Sequence, residues 1–368
     1  MVNFTILAGG YDVFIASYLL NTDAGSLTVT GQFPSGSNPS WITPSLNNRS
    51  IFYATNENAA GGLQSFTVTP DGVVSSALDT IGSGGDSPAF AAALPSGQIA
   101  VMNYGSGNGR IIPLTEKGLG FDDSASSAGL ITFPIPTAPT SENVSHPHMA
   151  LEVGPEVFVP DLGGDIIWRL TQENATGNWS ITGSIPQPPS SGPRHIAVSC
   201  DRLFALHELA STLTVQPIPT FPNGTSEIID SVSIIPEETP VNASYAAAEI
   251  LIPKTTSKFT TPYIYVSNRN VGTQDPSGKG DSIAIFELVN IGTPYEKLKL
   301  INQVFTGLDQ IRGMEIGLEE NGSDEFLIAA GVAGNAGTVV YRRVDGGRNL
   351  EEVARNLDIP TRTSFIWL

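Results

Sequence analysis

Short runs of β-branched and aromatic residues alternate along the chain with turns rich in Gly, Pro, Asn and Ser. No segment carries the three-to-four-residue apolar spacing of a strong amphipathic helix, so the pattern predicts an all-β protein. The runs themselves repeat. A small or Pro-containing entry leads into an apolar strand. A turn and a second apolar strand ending in a polar group follow, and then a third strand, often led by Gly. The first copy has its entry at 38–42, its turn at 47–49, its second strand at 51–57 and its third at 62–66. Later copies occupy 87–112, 146–168, 192–215, 247–286 and 311–341. A seventh is expected to be shared between 364–367 and the strands from Phe4 to Leu20.

Units of several strands recurring about every 50 residues predict a seven-bladed β-propeller. Splitting the last blade between the first and last strands closes the ring and leaves no open sheet edge. A β-sandwich is the competing all-β architecture, but it would not repeat one unit six times. The WD40 version lacks its Gly-His and Trp-Asp pairs at blade positions. Residues 1–368 are therefore expected to form one domain.

Propeller geometry then says where chemistry collects. In an antiparallel meander the start of the first strand and the end of the second lie on the same rim of the channel. The first-strand entries carry His146, His148, Arg194, His195, Glu249 and Arg312. The second-strand exits carry Glu57, Asn103, Tyr104, Asp161, Glu208, Asn268 and Arg269.

Charge gives that rim its weight. The 368 residues include 36 Asp+Glu against 18 Lys+Arg, a formal net charge of −18, and only 15% are charged. So few charges argue against a helical bundle, whose exposed faces need them. The acidity excludes general binding to nucleic acid or to an anionic membrane, and no apolar run reaches the roughly 18 residues that span a bilayer. In such a chain, this many ionisable groups on one rim exceed what a plain structural ring needs.

Cys200 stands alone, so it forms no intrachain disulfide and no cysteine-based metal site; its setting predicts a buried residue at a strand end. The four histidines, His146, His148, His195 and His207, fall in two adjacent blades. A His-x-His pair suits zinc, but Pro147 disturbs the extended geometry that such a pair needs, and no metal or cofactor is expected. His207 reads as structural, and Trp41 and Phe90 read as core. Eight Asn-x-Ser/Thr sequons begin at Asn3, Asn48, Asn143, Asn174, Asn178, Asn223, Asn242 and Asn321. The first residues lead straight into a strand pattern. The expectation is a secreted glycoprotein whose targeting segment has been removed, the alternative being a cytosolic chain with chance sequons.

Five segments carry a family resemblance: His-Pro-His (146–148), Gly-Pro-Arg-His (192–195), His-Glu-Leu-Ala-Ser-Thr (207–212), Ala-Ala-Glu-Ile (247–250) and Tyr-Val-Ser-Asn-Arg (265–269). Together they resemble the lactonase family of seven-bladed propellers. That family includes bacterial 6-phosphogluconolactonase of the propeller type and the fungal 3-carboxy-cis,cis-muconate lactonizing enzyme, a muconate cyclase. The resemblance implies a site of one His, two Arg and one Glu, which falls by motif on His148, Arg194, Glu208 and Arg269. At the second-strand exit of the sixth blade, residues 330–335 depart from the family's pattern.

These residue types suit the making or opening of a lactone. Such chemistry needs a proton-transfer group and fixed positive charge for a carboxylate or developing oxyanion. His148 is the candidate acid/base, Arg194 and Arg269 the candidate carboxylate clamp, and Glu208 either orients the histidine or activates water. His146, His195, Glu249, Arg312, Tyr104, Glu57 and Asp161 are expected to bind substrate. Three functions stay open: a secreted lactonase or cyclase (hydrolase or isomerase) acting on a sugar acid or unsaturated carboxylic acid; a non-hydrolytic cyclase, even a cycloaddition catalyst, of fungal secondary metabolism; and a non-catalytic secreted binding propeller. The expected partner is a small carboxylate, lactone or polyketide-type molecule; the oligomeric state is undetermined.

Overall fold

Strands with apolar residues on both faces need cover on both sides, and here each sheet receives it from the sheets beside it. In blade 1, Phe52 and Phe66 pack with Leu7, Ile15 and Ile366 of blade 7. Their strand neighbours Ile51, Tyr53 and Leu63 pack the other way, against Ala91, Ile99 and Val101 of blade 2. The period-two alternation of a strand thus serves two inter-blade cores at once. Blade 6 repeats the device, with Ile328 and Ala330 facing blade 7 and Leu327 and Ala329 facing blade 5. Second strands such as Ile51–Asn56, Gln98–Asn103 and Glu156–Asp161 are buried along their whole length. Outermost strands such as Asp79–Gly82 and Asp230–Ser233 alternate between half-buried and exposed. Burial of most strands on both faces explains why so few charges suffice.

The computed structural model describes residues 2–124, 128–135, 144–173 and 177–368. Seven four-stranded antiparallel sheets form a β-propeller, as the repeat predicted. The first strands of blades 1 to 6 are Ile42–Pro44, Pro88–Ala93, Leu151–Val153, Pro193–Ser199, Tyr245–Leu251 and Asp309–Ile316. In blade 7 the first strand is Ser364–Trp367, followed by Asn3–Gly9, Phe14–Asn21 and Ser26–Pro34. Ile6 pairs with Trp367 and Gly9 with Ser364, so the ring closes as expected. The first strands of blades 3, 4, 5, 6, 7, 1 and 2 touch in that order around the axis. Crowding there is tight enough that a Cβ on Gly313 would lie 2.2 Å from the Thr363 carbonyl oxygen.

Four of these inner strands carry a register shift near their start. It falls at Arg194, at Ala248–Glu249, at Arg312 and between Pro88 and Phe90. A bulge adds an unpaired residue and re-aims the side chains next to it. Three of the four bulges hold an ionisable residue of the predicted rim.

Cys200 differs from expectation. It is exposed, because Cys200 and Asp201 (φ 52° and 57°) form the two-residue hairpin turn between Ser199 and Arg202. Two of the sequon asparagines, Asn143 and Asn174, lie outside the described residues. Asn3, Asn48, Asn223, Asn242 and Asn321 are exposed and Asn178 is half-buried.

Candidate active site

The second strands end on a polar residue that closes the hairpin to the third strand. Asn103 Nδ2 donates to Asn108 Oδ1 at 2.7 Å, and Asn268 Nδ2 to Ser282 Oγ at 2.9 Å. His207 lies 3.3 Å from Thr212 Oγ1 and holds Gln187 through Nε2 at 3.0 Å, the structural role expected of it. Asp161 belongs to this set, which corrects its expected part in substrate binding. It is fully buried, and its carboxylate accepts from Ser145 Oγ, the His146 and Gly164 amides and Trp168 Nε1 at 2.7–3.0 Å. Alternation turns the next residue the other way. That next residue is Glu57, Tyr104, Glu208 or Arg269, and these four reach the mouth or its wall.

Glu208 sits between two guanidiniums, with Oε2 2.8 Å from Arg194 Nε and Oε1 2.8 Å from an Arg269 terminal nitrogen. Burial alone would push its carboxyl up, but Arg269 and Arg194 outweigh that and hold it below the usual carboxylate range. Arg194 also donates to the Ala248 carbonyl, and Arg269 to that of Ala247 at 3.2 Å. Burial and the neighbouring Arg269 lower Arg194 to about 10, still charged at neutral pH. A third cation, Arg312, lies 3.2 Å from Glu57, which also accepts from Tyr11 Oη at 2.9 Å and from Ser40. The Arg312 guanidinium stacks over the Tyr11 ring at 5.1 Å. Three guanidiniums therefore share two carboxylates. The side chains of Glu208 (19% exposed) and of Arg269 and Arg312 (11% each) reach solvent, while that of Arg194 (1%) does not.

Beneath them lie two imidazoles. His148 and His195 have ring centroids 5.1 Å apart. His195 Nδ1 is 2.8 Å from Glu249 Oε1, while His195 Nε2 and His148 Nδ1 are buried without a protein hydrogen-bond partner among the described residues. Burial first, then the Arg194 charge, holds both imidazoles well below their ordinary range, so both are neutral at neutral pH. Tyr104 meets His148 edge-on at 5.8 Å and stacks on His146 at 4.3 Å, whose Nδ1 lies 2.7 Å from the Tyr104 carbonyl oxygen.

Two expectations are corrected here. Glu208 meets Arg194 and Arg269 and, among the described residues, not His148; the carboxylate that meets an imidazole is Glu249, on His195. Glu249 in turn is no rim ligand, because the bulge at 248–249 places it 5% exposed behind His195. Trp41 and Phe90 are more than core: each ring lies 5.4 Å from that of His195. Tyr11 escapes the rim pattern because it follows the second strand of the split blade, whose repeat is divided between residues 364–367 and 3–9.

The family profile described as "Lactonase, 7-bladed beta-propeller" matches residues 5–367. A relative from Arthroderma benhamiae, named "Probable 6-phosphogluconolactonase", is 25% identical over 364 residues, spanning 96% of this chain and 86% of that one. Among solved structures, the periplasmic gluconolactonase of Pseudomonas aeruginosa matches with a TM-score of 0.80 at 17% identity, over 100% of this chain and 99% of the other. A protein of Lactobacillus plantarum matches with a TM-score of 0.76 at 20% identity, over the whole of both chains. At these identities the structural likeness speaks to the fold.

Proposed function

The chain belongs to the lactonase family of seven-bladed β-propellers, and from that premise we propose that it hydrolyses the lactone of a small anionic sugar acid at the arginine-lined mouth. The observation that carries this reading is the layering of the site. Three guanidiniums, two of them partly exposed, share two carboxylates, and neutral imidazoles with unpartnered ring nitrogens lie directly below. The name of the Arthroderma relative points to a 6-phosphorylated aldonolactone as the first substrate to try.

His148 is the proposed base, since it keeps a 4% exposed fraction where His195 has none. Water attacks the lactone carbonyl and gives a proton to His148. Arg194 and Arg269 stabilise the oxyanion, and the ring oxygen takes up a proton as the acyl C–O bond breaks. The depressed basicity of His148 fits this order. Burial lowers its basicity most, and the field of Arg194, Arg312 and Arg269 adds to that; an anionic substrate offsets this second part and so raises proton affinity when the base is needed.

The aromatic wall of Tyr104, Trp41 and Phe90 beside the imidazoles favours a second reading, closure or opening of an unsaturated carboxylic acid. The exposed sequons suit a secreted glycoprotein, and that too is proposed. The deciding assay compares 6-phosphoglucono-δ-lactone, glucono-δ-lactone and an unsaturated muconolactone. Saturable hydrolysis of the first two that collapses in Arg194→Ala and His148→Ala is expected. Turnover confined to the muconolactone favours the second reading, and sugar-lactone hydrolysis that survives both variants overturns the assigned site.

A further inference from the structure

Two acidic residues lie on the propeller axis below the imidazoles, and the chemistry above gives neither of them a step. Glu249, on the first strand of blade 5, accepts from the Ile250 amide at 3.0 Å through the same oxygen that meets His195. Its other oxygen, Oε2, is buried without a hydrogen-bond partner among the described residues. Glu315, on the first strand of blade 6, repeats the arrangement, accepting from the Ile316 amide at 3.1 Å. Both residues line one cavity of about 110 Å³, walled by Trp41, Phe90, Met314 and Phe365. Glu315 also lines a larger cavity of about 460 Å³ with Arg49, Lys254 and Glu320, at the far ends of these first strands and so at the opposite mouth.

We propose that Glu249 and Glu315 form a proton line along the axis, carrying the proton released by each turnover from His195 to the opposite mouth. The proposal rests on the hydrolytic reading. Opening a lactone forms one bond from water oxygen to the acyl carbon and breaks the acyl bond to the ring oxygen. One water proton goes to the ring oxygen, and the other leaves, because the product is a carboxylate at neutral pH. His148 receives that proton, but with substrate seated in the mouth the direct route to solvent is blocked. The neighbouring His195 offers an unpartnered Nε2 on one side and Glu249 on the other. The cavity between the carboxyls has room for several waters at ~30 Å³ each.

The charge setting suits a pair that holds a proton. Burial pushes Glu249 up to about 8, against the pull of Arg194 and Arg312. Burial and the nearness of Glu249 push Glu315 up to about 8, with Arg49 opposing. Around His195 stand Arg194, Arg312, Glu208, Arg269 and His148. Glu315 is thus a positioning residue, acting through Glu249.

The test is Glu315→Gln with glucono-δ-lactone in weak buffer. A fall in kcat of about tenfold is expected, with KM unchanged, and recovery as imidazole is added to carry the proton. Glu315→Asp should keep most of the rate. Wild-type kcat in Glu315→Gln overturns the line, and so does a loss that neither imidazole nor Glu315→Asp relieves. Infrared spectroscopy reads the pair without turnover: a protonated-carboxyl band at neutral pH is expected in the wild type, weakened in Glu249→Gln and in Glu315→Gln and absent when both are replaced. A missing wild-type band overturns the line whatever the activity. A band with no lactone turnover overturns the hydrolytic reading, and the line falls with it as an exit for that proton.

Discussion

Two buried arginine–carboxylate groups of this molecule show how a structural ion pair differs from a binding one. In blade 3, Arg169 meets Glu156 as a two-pronged fork, with Nε to Oε1 at 2.7 Å and a terminal nitrogen to Oε2 at 2.5 Å. Its other terminal nitrogen reaches the Pro219 and Thr220 carbonyls at 2.9 and 3.2 Å, and its plane lies over Phe158. Four of its five N–H groups are thus bonded within the protein. At the mouth, Arg194 and Arg269 divide one carboxylate, Arg312 has another, and the Nε atoms of Arg269 and Arg312 are buried without partners among the described residues. Incomplete satisfaction is costly in a folded protein unless a ligand completes it.

The largest expected effect falls on the satisfied group. Arg169→Met leaves Glu156 buried without its cation and should lower unfolding free energy by about 3–5 kcal/mol, read by denaturant melts. Arg194→Ala empties a buried site but leaves Glu208 with Arg269, so stability should fall by a smaller amount, about 1–3 kcal/mol, while kcat/KM should fall about 10²–10³-fold. The same variant removes a cation facing His148, so the acid limb of its residual pH–rate profile should move up towards the ordinary histidine range. Equal stability losses for Arg169→Met and Arg194→Ala would erase the distinction.

A smaller effect concerns pH and stability. Glu249 and Glu315 are raised to about 8 in the folded state. Between the unfolded carboxylate value near 4.5 and pH 8, the unfolded chain has given up protons that the folded one keeps. Their contribution is whole below about 4.5 and lost as pH rises through about 8. The buried imidazoles act in the opposite sense, their contribution being present above about 6.5 and lost as pH falls towards their depressed values. The drop in Tm between pH 5.5 and 8.5 should therefore shrink in Glu249→Gln and Glu315→Gln. Smallest of all, Tyr11→Phe loses one hydrogen bond to Glu57, and should change stability by about 0.5–1.5 kcal/mol and KM only modestly.

The ring was legible in the chain because burial on both faces of a strand leaves a periodic signature, and seven such units admit few closures. The site residues were legible through the rim rule, up to its two weak points. A one-residue offset separates hairpin-closing Asp161 from mouth-facing positions such as Glu208, and residue type alone does not distinguish them. The bulges at Arg194, at 248–249 and at Arg312 shift the alternation on which such a reading depends, so the depth of Glu249 was invisible. Applied to the split blade, the same rule would have found Tyr11, just beyond the strand Asn3–Gly9. Glu315, at the far end of an inner strand, offered no signal of its own, since its meaning comes from a neighbour 66 positions away in the chain.

The strand order of blade 7 has a consequence for biosynthesis. Of the strands described, its innermost, Ser364–Trp367, is made after all the others, and its partner Asn3–Gly9 before them. While the ribosome is still at work, the N-terminal strands can pair with one another and with blade 1, but the axis stays open on one side. The inter-blade cores that hold no residue of the innermost strand can form during translation, and closure waits for residues 364–367. The proposed catalytic mouth, which needs Tyr11 and Glu57 from blades 7 and 1 and Arg312 from blade 6, is assembled only at that moment. Newly made chains should thus become active in a single late step, not blade by blade.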